Sequence, residues 1–240
     1  MQPTALITGG NSGIGYATAK LFKDNGYDVT ITGRDETRLA EAAEKLDVKG
    51  FTADMSSVED IAALANHYKD SPLNVLVNNA GICKVAPLEY LNTSDIEESL
   101  NINVRGTMLL TQQLLTSLRK AKGCVINVSS AIVENGVPNS SLYAASKGAI
   151  DAFTRNLALE LAPDEVRVNA VTPGSIDTPL FGKLGIPETE VNAIREQIKS
   201  TIPLQRHGKP EEVAQVIYAQ VNSTYVTGSI WTVDGGVAAY

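Results

Sequence analysis

Cysteine and histidine are nearly missing from this 240-residue chain, which carries only Cys83, Cys124, His67 and His207. Two cysteines cannot build a disulfide framework, and neither they nor the isolated histidines have metal-ligand spacing. No apolar run approaches the roughly 18 residues of a membrane-spanning helix. The opening Met1-Gln2-Pro3-Thr4 enters an apolar segment without the basic lead and cleavage site of a secretory signal. Positive charge is in deficit as well. A formal net charge of −7 disfavours non-specific binding to nucleic acid or anionic membranes. These absences lead us to expect a soluble, cytoplasmic, metal-free protein with neither nucleic acid nor membrane as partner.

What is present is ordinary for a globular protein: 43% apolar and 20% charged residues. The length suits one substantial core, so residues 1–240 are expected to form a single domain. Short apolar runs alternate with helix-like segments along the chain. Strands are expected at 5–7, 28–32, 49–53, 74–78, 124–128, 166–171 and 229–233. Helices are expected at about 13–25, 36–46, 58–68, 94–120, 142–161, 188–200 and 210–221. Strand–helix alternation argues an α/β fold: a doubly wound parallel sheet of about seven strands with helices on both faces. The stretch from Thr172 to Pro187 breaks the rhythm with three prolines, Gly182 and Gly185. It lies beyond the carboxyl end of a strand, where open α/β sheets bind ligands, and reads as a substrate cover.

Tyr143-Ala144-Ala145-Ser146-Lys147 places a phenol and an ammonium four residues apart in a helical pattern, hence on one face. A nearby cation favours a phenolate, so Lys147 is expected to lower the pKa of Tyr143 from its usual value of about 10 toward neutrality. That suits a proton donor or acceptor at an alcohol/carbonyl pair. Any helix can produce such a pair by chance, so the surrounding motifs decide. After the first strand stands Thr8-Gly9-Gly10-Asn11-Ser12-Gly13-Ile14-Gly15. A glycine-rich turn between strand and helix lets the backbone approach a pyrophosphate at the helix N-terminus. It lacks the GK[ST] ending of a nucleotide-triphosphate loop, which argues against a kinase or ATPase.

Together TGGNSGIG, Asn78-Asn79-Ala80-Gly81, Asn103, Ser130, YAASK and Pro173-Gly174 resemble the short-chain dehydrogenase/reductase family in its compact single-domain branch. The resemblance runs from Thr4 to Val233-Asp234-Gly235-Gly236. It implies a Rossmann-type fold, a nicotinamide cofactor, and interconversion of a ketone and a secondary alcohol. On this resemblance Tyr143 is the general acid/base and Lys147 assists it and holds the nicotinamide ribose. Ser130, thirteen positions before Tyr143, hydrogen-bonds the substrate oxygen, with Ser129 the competitor. Asn103 holds a water of a proton relay, with Asn101 the competitor. The cofactor contacts implied are Gly9, Asn11, Ser12, Gly13, Ile14 and Gly15 around the phosphates and adenosine, with Asp54 and Met55 at the adenine. Asn79, Ala80 and Gly81 line the ribose side, and Pro173, Gly174, Ile176 and Thr178 the nicotinamide. Capping roles remain open for Asp54 and Thr178.

The choice of dinucleotide falls to the end of the second strand, Thr32-Gly33-Arg34-Asp35. A guanidinium at Arg34 suits a 2′-phosphate, although Asp35 and Glu36 follow directly. NADP(H) is favoured over NAD(H). Val133, Val137, Leu180, Phe181 and Leu184 suggest an apolar pocket wall, with Glu134 and Asn139 facing either the pocket or water. A small or medium ketone is the first substrate reading and a 3-oxoacyl thioester on an acyl-carrier protein the second. A non-catalytic NADP(H)-binding sensor is the alternative from another class. Epimerases with a TGxxGxxG loop and enoyl reductases with wider Tyr–Lys spacing fit less well. The family implies a homotetramer or homodimer. The segment 216–227, near a usual subunit interface, is shorter than the family norm.

Overall fold

Seven short apolar segments become strands: β1 (Thr4–Ile7), β2 (Asp28–Gly33), β3 (Lys49–Thr52), β4 (Val75–Asn78), β5 (Cys124–Val128), β6 (Arg167–Pro173) and β7 (Ile230–Val233). The computed structural model describes residues 2–69, 71–179 and 188–239. The strands form one sheet in the order β3-β2-β1-β4-β5-β6-β7, every neighbouring pair parallel. The helices are α1 (Gly13–Asp24), α2 (Glu36–Leu46), α3 (Val58–His67), α4 (Thr93–Leu100), α5 (Thr107–Ala121), α6 (Ser141–Leu161), α7 (Glu188–Thr201) and α8 (Pro210–Asn222).

Period-two alternation sends strand side chains to two cores. Ala5 and Ile7 of β1, Val75 and Val77 of β4, and Ile126 of β5 pack with Phe22 of α1, Leu39 of α2 and Ile217 of α8. Leu6, Leu76 and Val125 face the other way, onto Leu64 of α3, Leu110 and Leu114 of α5, and Leu157 of α6. Each Val, Leu, Ile or Phe among them contributes about 1.5–3 kcal/mol on burial. Both faces of the central strands are thereby covered, which explains their unbroken apolar character. No helix among the described residues is long and apolar enough to cross a membrane.

The expected helix over 94–120 is not continuous. α4 gives way to a wide π turn, Asn101–Gly106, before α5 resumes. Gly106 packs directly against the Met55 carbonyl, and the Asn103 side chain is turned inward and buried. Such bulges trade regular hydrogen bonding for the placement of one side chain. The chain order reverses beside β1, which has β2 on one side and β4 on the other. The carboxyl ends of β1 and β4 therefore flank the crevice where doubly wound sheets take dinucleotides.

Candidate active site

A buried amide ladder sets the floor. Asn78 at the end of β4 is in register with Asn127 of β5. Asn78 Nδ2 donates to Asn127 Oδ1 at 2.9 Å and to Thr111 Oγ1 of α5 at 3.0 Å. Asn127 Nδ2 donates to Thr154 Oγ1 of α6 at 2.9 Å. An unpaired group here would cost about 1–3 kcal/mol, so the ladder holds β4, β5, α5 and α6 in one arrangement.

α6 carries Tyr143 and Lys147 one turn apart over this floor. Lys147 is buried, and its Nζ donates to the carbonyl of Val128, the last residue of β5, at 2.7 Å. The same Nζ lies 5.8 Å from the centroid of the Tyr143 ring. Burial lowers the Lys147 pKa to about 8, against the opposing influence of Cys83 and Asp151. Tyr143 moves in the direction opposite to the sequence expectation. Burial of the phenol raises its pKa, the Cys83 thiol adds to this, and hydrogen bonding with Ser130 opposes it. The amine is turned to the strand end, and burial, which disfavours the charged phenolate, sets the direction. Tyr143 is protonated at neutral pH.

The two serines at the strand end separate clearly. Ser129 is buried and donates to the Lys147 carbonyl at 3.2 Å, beneath α6. Ser130 is half-buried, on the phenol side. The two asparagines separate too. Asn101 is half-buried, whereas Asn103, inside the π turn, brackets Ile82 by accepting from its N–H and donating to its carbonyl, both at 2.9 Å. Asn103 Nδ2 also donates to Ser146 Oγ at 3.0 Å, and Ser146 donates to the Tyr143 carbonyl at 2.8 Å. Sequence reasoning assigned Ser146 no role, although it stands three residues after the tyrosine in the quoted motif. Cys83, next to Ile82, was also missed as a neighbour of the Tyr143–Lys147 pair.

On the cofactor side, Gly9 has φ of 63°, and a Cβ there would stand 3.0 Å from Ala80 Cα. Gly13 has φ of 54°, with Thr178 Cγ2 3.2 Å from its notional Cβ. Both positions demand glycine. Thr8 Oγ1 accepts from the N–H groups of Asn79 and Ala80 at 3.0 and 2.9 Å, and Asn79 Nδ2 donates to the Thr8 carbonyl at 2.8 Å. The loops after β1 and β4 are thus one unit. Ser12 stands before α1 without a capping side-chain bond, and the first turn carries no acidic residue, which leaves the dipole unopposed for an anion. Asn11 packs on Gly33 at the end of β2.

Arg34 is exposed, and no described residue pairs with it. Asp35, its acidic neighbour, caps α2 by accepting from the Arg38 N–H at 3.0 Å and faces the Arg38 guanidinium at 3.6 Å. Asp54 Oδ1 accepts from the N–H and Oγ of Ser56, both at 2.8 Å, which is the capping alternative. The side chains of Met55 and Ile176 are buried in the two cores, which leaves only their backbones for any contact with a cofactor. Pro173 and Gly174 lead out of β6, with Gly174 N–H bonded to the Val233 carbonyl at 3.0 Å. Of the suggested pocket wall, Val133 is half-buried and Val137 is 52% exposed. Leu180, Phe181 and Leu184 lie outside the described residues. Among those described, no group of three or more acidic, cysteine or histidine side chains could hold a metal.

Residues 9–238 match a family model described as Enoyl-(Acyl carrier protein) reductase. The chain is 40% identical to the 3-oxoacyl-[acyl-carrier-protein] reductase FabG of Thermotoga maritima, over 97% of this chain and 96% of that protein. The chain belongs to the short-chain dehydrogenase/reductase family. It is 33% identical to carbonyl reductase family member 4 of Danio rerio, covering 99% and 98% of the two chains. A 3-ketoacyl-(acyl-carrier-protein) reductase from Brucella melitensis, solved with NADH, superposes with a TM-score of 0.90 at 30% identity, covering 98% of each chain. An actinorhodin polyketide ketoreductase solved with NADPH gives 0.91 at 29% identity, over 100% of this chain and 98% of that one. This short-chain dehydrogenase/reductase is an oxidoreductase acting on CH–OH or carbonyl groups with a nicotinamide dinucleotide. Its crevice fits that cofactor. At Gly81 the backbone passes so close to this corner that a Cβ would stand 3.1 Å from Asn103 Oδ1 and 3.5 Å from Lys147 Nζ.

Proposed function

We propose that residues 1–240 act as one domain, an NADP(H)-preferring reductase that converts a ketone to a secondary alcohol. The observation that carries this reading is the placement of Tyr143 beside Ser130, with the buried Lys147 amine 5.8 Å from its ring. When bound, the reduced nicotinamide supplies a hydride to the carbonyl carbon. Tyr143 delivers the proton to the carbonyl oxygen, and Ser130 donates a hydrogen bond to that oxygen as negative charge builds on it. Lys147 stabilises the phenolate that remains and supports its reprotonation, while Asn103, braced on Ile82 and Ser146, holds the wall of that corner. Gly9, Asn11, Ser12, Gly13, Ile14 and Gly15 cradle the phosphates, Asn79, Ala80 and Gly81 the ribose side, and Thr178 and the backbone of Pro173, Gly174 and Ile176 the nicotinamide end. Asp54 and Met55 border the adenine through their backbones.

Arg34 supports the preference for NADP(H). Its guanidinium is exposed at the end of β2, and the carboxylate that would compete for it is engaged by α2. Within this activity a 3-oxoacyl thioester is the best-supported substrate, because the relatives named above include acyl-carrier-protein reductases. The four-residue spacing of Tyr143 and Lys147 weighs against the enoyl activity in the family model's description. The family association also leads us to expect a homotetramer or homodimer in the cytoplasm. The deciding experiment is a panel of ketones and 3-oxoacyl thioesters assayed with NADPH and NADH. NADPH oxidation with the thioesters is the expected result. Silence across the panel despite tight NADPH binding would replace the enzyme by the sensor reading.

A further inference from the structure

The segment that leaves β6, residues 173–179, forms a strap across the cofactor side of the sheet, reaching from β6 to Thr178 against Gly13 of the glycine-rich loop. Its underside is fixed by Ile176, buried in the core, and by a parallel bridge to Gly208. In that bridge the Gly208 N–H donates to the Ser175 carbonyl at 3.0 Å and the Asp177 N–H to the Gly208 carbonyl at 2.8 Å. The flank is held differently. His207 Nδ1 lies 2.9 Å from Ser175 Oγ, and its Nε2 lies 3.1 Å from the Arg195 carbonyl on α7. Arg195 in turn extends its guanidinium to Asp177 Oδ1 at 2.8 Å. Ser175, His207, Arg195 and Asp177 therefore close a ring that begins and ends on the strap.

A carbonyl only accepts, so His207 Nε2 donates to the Arg195 carbonyl while Nδ1 pairs with the Ser175 hydroxyl. Both ring nitrogens are used, which a residue kept only for bulk would not require. We infer that His207 is a positioning residue for the cofactor site, latching the strap to α7 and so setting where Thr178 stands over the glycine-rich loop. The inference rests on the reading of 173–178 as the nicotinamide-side wall. His207 touches no reacting atom; it acts through Ser175 and Arg195.

The test compares NADPH dissociation constants, by fluorescence titration, for the wild type, His207→Phe, His207→Gln, Ser175→Ala and the Ser175→Ala/His207→Phe pair. Removing both latch bonds while keeping a ring of similar size should weaken NADPH binding about tenfold. His207→Gln, which retains a donor in reach of the Arg195 carbonyl, should recover part of that loss. Ser175→Ala should add nothing to His207→Phe, because the two residues share one bond. Amide exchange at Asp177 and Gly208 should accelerate in His207→Phe while the β4–β5 amides stay protected. An NADPH affinity within twofold of wild type in His207→Phe would overturn the latch, and a fall in thermal stability without that change would leave His207 a merely structural residue. Failure of the wild type to bind either dinucleotide would overturn the cofactor assignment itself and the latch with it.

Discussion

The catalytic corner and the turn after β2 differ in how their side chains are held. At the ends of β4 and β5, Asn78, Asn127, Asn103, Ser146 and Lys147 are buried and tied to one another or to backbone. At the end of β2, Arg34 stands in solvent with no partner among the described residues. A buried polar group can be changed only at the cost of its neighbours' hydrogen bonds, whereas an exposed guanidinium can be exchanged almost freely. On the proposed reading the chemistry is therefore locked into the fold, and the choice of dinucleotide falls to its surface.

The sharpest break of this contrast is Tyr143→Phe. Loss of the proton donor should lower kcat by roughly 10²–10⁴-fold, with NADPH affinity nearly unchanged; steady-state kinetics and fluorescence titration read both. Retention of wild-type kcat would remove Tyr143 from the mechanism.

Lys147→Met tests the strain stored in the same corner. The Lys147 pKa falls from 10.5 to about 8 in the folded protein, so the unfolded chain binds more protons between these values. The group therefore destabilises the fold fully below about pH 8, and this penalty is relieved as pH rises toward 10.5. Removing it relieves this penalty but leaves the Val128 carbonyl without its donor, so the readout is the pH dependence: the stability of Lys147→Met relative to wild type should be about 1 kcal/mol lower at pH 9 than at pH 7. Turnover should be lost at both pH values. Denaturant melts at the two pH values measure the difference, and a relative stability that rose with pH would contradict the assigned shift.

Asn127→Ala removes one rung of the ladder and leaves one of the two Asn78 amide hydrogens without its acceptor. It should cost roughly 2–3 kcal/mol in the same melts. The smallest effect is expected at the other region. Arg34→Ala should raise the KM for NADPH about tenfold, leave the KM for NADH within twofold, and shift stability by less than about 0.5 kcal/mol. Equal effects on the two cofactors would dissolve the contrast between locked chemistry and surface selectivity.

Much of this was legible in the chain. Seven strands stood out because apolar runs such as Val75–Asn78 and Cys124–Val128 are buried on both faces. Tyr143, Lys147, Ser130 and the glycine loop announced themselves because their spacing matched a known order of motifs. The π turn did not, because apolar positions recur at helical spacing straight through 94–120, while the close packing of Gly106 on Met55 is a tertiary contact. Thr8 and Ser146 were inside the quoted motifs, yet their partners are a backbone loop and an asparagine 43 residues away. The Ser175–His207–Arg195 contacts join positions 32 and 12 residues apart, beyond the reach of local pattern.

By itself the sequence determined which elements form and which residue types converge on the crevice, because strand and helix periodicity and motif order are local properties. Only the tertiary structure decided the direction in which the central pair is shifted. Burial raised the phenol, lowered the amine to about 8, and turned that amine to the Val128 carbonyl. Desolvation is a property of everything packed around a group, and no spacing along a helix can record it.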